Sequence, residues 1–195
     1  MKNNSFITII LALLLVVAFS SCRKQTSHSK ESSKPSRTHV VTSINPKNLP
    51  EAPSSPVLDL VGILNDDDVE TITSQIEELD SLGWAQVAVV IVDDLHGYNG
   101  VRYATAVGKK WGVGRKDKYD GIVILVKPKT ADSKGEAAIA TGSGMQEILP
   151  DHTCKRIIDE RMIPRFKQGD YGGGIRYAIH TITKLLQSPK ASKNS

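Results

Sequence analysis

The chain is short of the residues and motifs that most often declare a function. Its 195 residues hold two cysteines, Cys22 and Cys154, too few for a disulfide framework or a four-ligand zinc site. There is no G-x-x-x-x-G-K-[ST] loop and no G-x-G-x-x-G turn, which removes the common nucleotide-binding fingerprints. Ser143 lies between glycines but lacks the G-x-S-x-G spacing of a hydrolase elbow. No internal repeat occurs. The longest nearly apolar run, Phe6 to Phe19, spans fourteen residues, short of the ~20 that a helix needs to cross a bilayer.

Positive charge on the folded part is missing too. The net charge of +4 divides unevenly: residues 23–56 carry six basic and two acidic residues, whereas 57–186 carry 16 basic and 19 acidic. A phosphate-neutralising groove needs Lys and Arg clustered on a folded surface, so nucleic acid is excluded as a partner.

Segments of distinct composition follow one another along the chain. Lys2, the apolar run and the small residues Ser20 and Ser21 before Cys22 make the pattern of a signal peptide, residues 1–21. Small residues directly before a cysteine resemble a bacterial lipobox, with Phe19 where Leu is usual. Cys22 is therefore expected to become an acylated N-terminus, anchoring the chain to a lipid bilayer through several acyl chains. Residues 23–56 contain eight Ser and five Pro and few large apolar groups. Such a stretch cannot offset its conformational entropy by burial, so residues 22–56 are expected to form an anchored tether. Residues 187–195 are expected to be a polar tail.

Residues 57–186 carry the periodicities of one folded domain. Asn65 followed by Asp66, Asp67 and Asp68 marks a helix start, and Val69, Ile72, Ile76 and Leu79 recur at helical spacing up to Gly83. Ala85–Val92 and Gly121–Val126 are apolar, β-branched runs, as expected of strands buried on both faces. A helix over 99–111 separates them, and Ala137–Thr141 predicts a hairpin partner. Helices are predicted over 151–163, stopped by Pro164, and over 171–186. A short extended piece at Val57–Leu58 precedes this α-β-α-β-β-α-α order, which predicts a layered α/β domain with a small mixed sheet.

Glycines and acids gather in loops around Asp93–Gly97, Trp111–Gly121 and Thr141–Asp151, with Asp59 before the first helix. Carboxylates on several loops suit hard cations such as Ca2+ or Mg2+, and they equally suit turns and helix caps. Cys154 reads as a small helix residue, because His152 two positions earlier faces elsewhere on a helix.

Six stretches in this order resemble the TPM domain family. They are Val57–Leu64, Gln86–Val90, Tyr103 to Gly114, Asp120–Val126, Thr141–Gly144 with Asp151, and Phe166–Tyr171. The family includes a thylakoid-lumen protein of photosystem II repair, a nematode receptor accessory subunit and many bacterial envelope proteins. The resemblance implies a three-layer α/β/α sandwich of Rossmann-like appearance, divalent-cation binding and, in the plant branch, acid phosphatase activity. On this chain the implied metal residues are Asp59, Asp120, Glu147 and Asp151, with Gly121, Gly142 and Gly144 as glycines near the site. Two positions depart from the family pattern: Ser143 stands where an aromatic is usual, and Gln146 where Glu is usual, with Glu147 one step later. An amide in place of an acid removes charge from a cation site there.

The expected function is that of a lipid-anchored accessory module of the cell envelope. Its domain would face the periplasm and support the assembly or maintenance of another membrane protein, with a bound divalent cation. The alternative is a metal-assisted acid phosphatase in which Asp59, Asp120 and Asp151 hold the ion.

Overall fold

The structure, a computed structural model, describes residues 45–188. The expected signal peptide, the acylated Cys22 and most of the C-terminal tail lie outside the described residues.

Asn65 caps the first helix as its side chain predicts: Oδ1 accepts from the Asp68 amide at 2.8 Å, and three aspartates fill the positive first turn of α1, Asp66–Ser81. Ile72, Ile76 and Leu79 form its buried stripe. Strand β1, Val57–Asp59, precedes it. After α1 come β2, Gln86–Ile91, and α2, Gly100–Trp111, capped by the Asn99 side chain. Gly112 ends α2 in the left-handed region at φ 69°, a conformation that glycine adopts without a Cβ clash. Strands β3, Gly121–Lys127, and β4, Glu136–Thr141, form the antiparallel hairpin.

The sheet has the order β1-β2-β3-β4, with the first three strands parallel and β4 antiparallel to β3. Both central strands are covered on both faces, which is why β2 and β3 read as unbroken apolar runs. Val87, Val89, Ile91, Ile122 and Ile124 join the larger core cluster with α1 and α5, Tyr171–Leu186. Val90, Val92, Val123 and Leu125 join a smaller one with Tyr103, Ala104 and Val107 of α2. Helices on both faces of a mixed sheet make the three-layer α/β/α sandwich expected from the sequence.

Two expectations need correction. Pro164 does not stop the third long helix. The chain runs as α3, Asp151–Ile157, widens into a π turn over Ile158–Met162 and continues as the short α4, Ile163–Phe166. Proline has no N–H and its ring collides with a carbonyl one helical turn back. The wider turn re-spaces the hydrogen bonds, with the Ile163 amide donating to the Ile158 carbonyl.

The stretch expected to be tether is also docked over its last part. Residues 45–56 form a strap against α2. The Tyr103 hydroxyl donates to the Asn48 carbonyl at 3.1 Å, Lys110 Nζ to the Leu49 carbonyl at 2.9 Å, and Trp111 Nε1 to the Pro50 carbonyl at 2.9 Å. Leu49 is buried in the smaller core cluster. Side chains of α2 thus supply the partners that this Pro- and Ser-rich segment cannot supply for itself.

Candidate functional site

The direction of the strands decides where the four implied acids go. Asp59 ends β1 and pairs with Ile91 at the end of β2, whereas Asp120 immediately precedes β3, whose first residue pairs with Gln86 at the start of β2. In a parallel sheet those are opposite ends. The separation along β2 is five residues, about 16 Å at ~3.3 Å per residue. Asp59 and Asp120 therefore do not share a site.

Asp59 organises its own loop. One carboxylate oxygen accepts from the amides of Val61 at 3.0 Å and Gly62 at 2.8 Å, the other from Leu64 at 2.8 Å. The neighbouring Asp93–Gly97 loop at the same end is tied similarly. Asp94 accepts from the His96 amide at 2.8 Å, and its second oxygen lies 3.2 Å from the imidazole Nδ1.

Asp120 is the most buried acid of the domain, 1% exposed. Burying a carboxylate demands a partner, and Arg115 provides it from the loop between α2 and β3. The Arg115 amide donates to Oδ1 at 2.7 Å and Nε to Oδ2 at 2.6 Å. Nη2 sits 2.5 Å from Oδ2 but is not aligned to donate. Nη1 reaches Asp80 at 3.3 Å. Gln86 joins the network, accepting from the Gly114 amide at 3.1 Å and donating to Asp80 at 3.3 Å.

The glycine turn closes over this network. The Gly142 amide donates to the Gly121 carbonyl at 2.8 Å, and that of Gly144 to the Tyr119 carbonyl at 3.1 Å. A Cβ on Gly142 would collide with the Tyr119 carbonyl, on Gly144 with the Lys118 carbonyl, and on Gly121 with the Val113 carbonyl. These three glycines are needed for close backbone packing. Tyr119 itself adopts φ 51° with its ring 61% exposed. Ser143, Gln146, Glu147 and Asp151 follow on the surface, Asp151 as the first residue of α3.

Among the described residues no group of three or more His, Cys, Asp or Glu could hold a metal ion. The donor chemistry agrees: both oxygens of Asp59 are committed to amides, and both oxygens of Asp120 are engaged by Arg115. The residues present do not fit a single cation cage built from all four acids. Cys154 is buried in the larger core, its Sγ 3.5 Å from the Leu149 carbonyl. Burial first, then the charge of Asp151, push its thiol up to about 11, against a smaller opposing hydrogen bond. It is packed as a core residue rather than poised as a nucleophile.

Arg115, Asp80 and Gln86 are the site residues that sequence reasoning passed over. The signal for Arg115 was present: an Asp heading a strand buried on both faces requires a cation nearby, and the arginine lies five residues before it.

A model of the TPM domain, labelled a TPM phosphatase, matches residues 57–185. The chain belongs to the TPM domain family. Among curated proteins none matches. Solved structures do: the N-terminal domain of a protein from P. gingivalis superposes with a TM-score of 0.62 at 24% identity, over 72% of this chain and 90% of that one. The N-terminal domain of a Corynebacterium glutamicum protein superposes with a TM-score of 0.52 at 14% identity, over 70% and 83%. At such identities the likeness establishes the fold. The TPM domain thus includes both loop systems, and its glycine turn is the lid over the Arg115–Asp120 pair.

Proposed function

We propose that this TPM domain is a membrane-tethered accessory module of the cell envelope, facing the periplasm, that docks onto another membrane protein and supports its assembly or maintenance. The observation that carries the reading is the state of the loop chemistry. The buried acid of the glycine-turn site is matched to an arginine, the acid at the other end to backbone amides, and the core cysteine to a carbonyl. Such loops hold a surface in shape; they do not present an activated group. The lipobox-like Ser20-Ser21-Cys22 and the polar stretch after it supply the reason for membrane attachment.

The test is crosslinking in intact cells with the full chain, followed by membrane recovery. The expected result is a reproducible partner among membrane proteins, and release of the chain from membranes when Cys22 is changed to Ala. Absence of any reproducible crosslink would overturn the docking reading.

Acid phosphatase activity is the second reading, supported by the label of the matching family model. It predicts hydrolysis of an aryl phosphate with Mg2+, Ca2+, Mn2+ or Zn2+. A thermal midpoint raised by one of these cations and lowered by EDTA would separately establish cation binding.

A further inference from the structure

The strap and the short first strand leave one residue of the sheet edge, Val87, without main-chain partners. On β2 the odd-numbered residues face β1, as shown by the Val89 amide donating to the Pro56 carbonyl at 2.9 Å and the Ile91 carbonyl accepting from Leu60 at 3.0 Å. Even-numbered residues face β3, with the Gln86 amide donating to Asp120 and that of Val92 to Val126. Val87 therefore directs its amide and carbonyl to the β1 side. The next N–H that could meet its carbonyl belongs to Pro56, which has none, and no main-chain bond runs from the Val87 amide to the strap.

A groove of about 330 Å3 lies there, lined by Ser54 and Pro56 of the strap, Glu77 and Asp80 of α1, Val87, and the Trp111 side chain. Its charge has one sign in excess. Its lining holds two acids, Glu77 and Asp80, and no basic residue, and an excess of one sign raises the local concentration of the opposite one. Asp80 shares its charge with Arg115 at 3.3 Å, whereas Glu77 is exposed and enters no ion pair among the described residues. A lining that includes Trp111 and two carboxylates suits the apolar stem and charged tip of a long basic side chain. The amide and carbonyl of Val87, without main-chain partners on the β1 side at the floor of the groove, suit a peptide main chain laid along the edge.

We propose that this groove takes a lysine or arginine side chain presented on an extended segment of a partner polypeptide, with the partner's main chain pairing to Val87. The inference rests on the docking reading above and names the chemistry by which the partner is recognised.

The test titrates the 15N-labelled full chain, in detergent, with three probes: acetyl-Ala-Lys-Ala-amide, its Gln analogue and n-butylamine. The expected result is saturable movement of the Val87 amide and Trp111 indole signals by the lysine peptide. Affinity should fall about tenfold for the Gln peptide, for butylamine, and for the lysine peptide on Glu77→Gln. Because Glu77 is exposed, that variant should keep the parent spectrum away from the groove. Equal binding of the Gln peptide would overturn the charge argument. Equal binding of butylamine would overturn the main-chain pairing, and shifts centred elsewhere would overturn the site. Should crosslinking find a partner while the lysine peptide moves none of these signals, the groove inference alone fails.

Discussion

Asp59 and Asp120 stand at opposite ends of the parallel strands, and each holds its loop by a different kind of partner. Asp59 gathers three backbone amides from the five residues that follow it. Asp120 is tied to one residue, Arg115, through its amide and its guanidinium, and the guanidinium reaches onward to Asp80 on α1. The first arrangement is local and half-open to water. The second joins three separate elements and is closed by a glycine turn. A carboxylate matched to amides can exchange them for water at modest loss, whereas removing a buried one matched to a partly buried guanidinium leaves that cation short of its main partner.

That contrast orders the expected effects of mutation. Asp120→Ala should cost about 3 kcal/mol in denaturant unfolding, because Arg115, three-quarters buried, keeps only Asp80 as a charged partner. The double change Asp120→Leu with Arg115→Met should recover part of that loss, and equal losses in single and double variants would show that the pair does not hold the end together.

Alkaline titration separates the ends next. The Cys154 thiol, on the helix after the glycine turn, is pushed up from 9.0 to about 11. The unfolded chain therefore releases this proton first, so stability present below pH 9 is lost as pH rises, about 2 kcal/mol of it by pH 11. Thermal midpoints should fall through that window, and Cys154→Ala should flatten the fall. At the other end Tyr103 is raised by burial and then by Asp94 and Asp93, so its own loss begins higher, above its ordinary 10.0. Tyr103→Phe should leave the early part of the slope in place.

Gly144→Ala should cost about 1.5 kcal/mol, since the added methyl meets the Lys118 carbonyl and the turn must shift. Asp59→Ala should cost least, about 1 kcal/mol, as expected for a lost capping oxygen near solvent. If it proves as damaging as Asp120→Ala, the division between a local and a long-range carboxylate is wrong.

The sequence spoke clearly wherever structure is local. The Asn65 cap, the buried runs of β2 and β3, and the glycine stop at Gly83 follow from periodicity and side-chain chemistry within a few residues. The strap was illegible because its bonds come from Tyr103, Lys110 and Trp111, more than fifty residues further on. Pro164 misled because a proline rule assumes ordinary helical spacing, and the π turn changes that spacing. The candidate site was half legible. Its glycines and Asp120 were recognisable, but grouping Asp59 with them ignored strand direction. One acid follows a parallel strand and the other precedes one, so the two were bound to part.

The strap also gives the domain a mechanical character. Tension entering at Asn45 would meet the Asn48, Leu49 and Pro50 carbonyls in turn, each held by a single side-chain donor from α2. Bonds loaded one at a time open like a zipper, while the paired strands behind them are pulled as a set. The strap is thus the fuse of the fold: in yielding it draws Leu49 out of the smaller core cluster and removes one wall of the groove beside Val87.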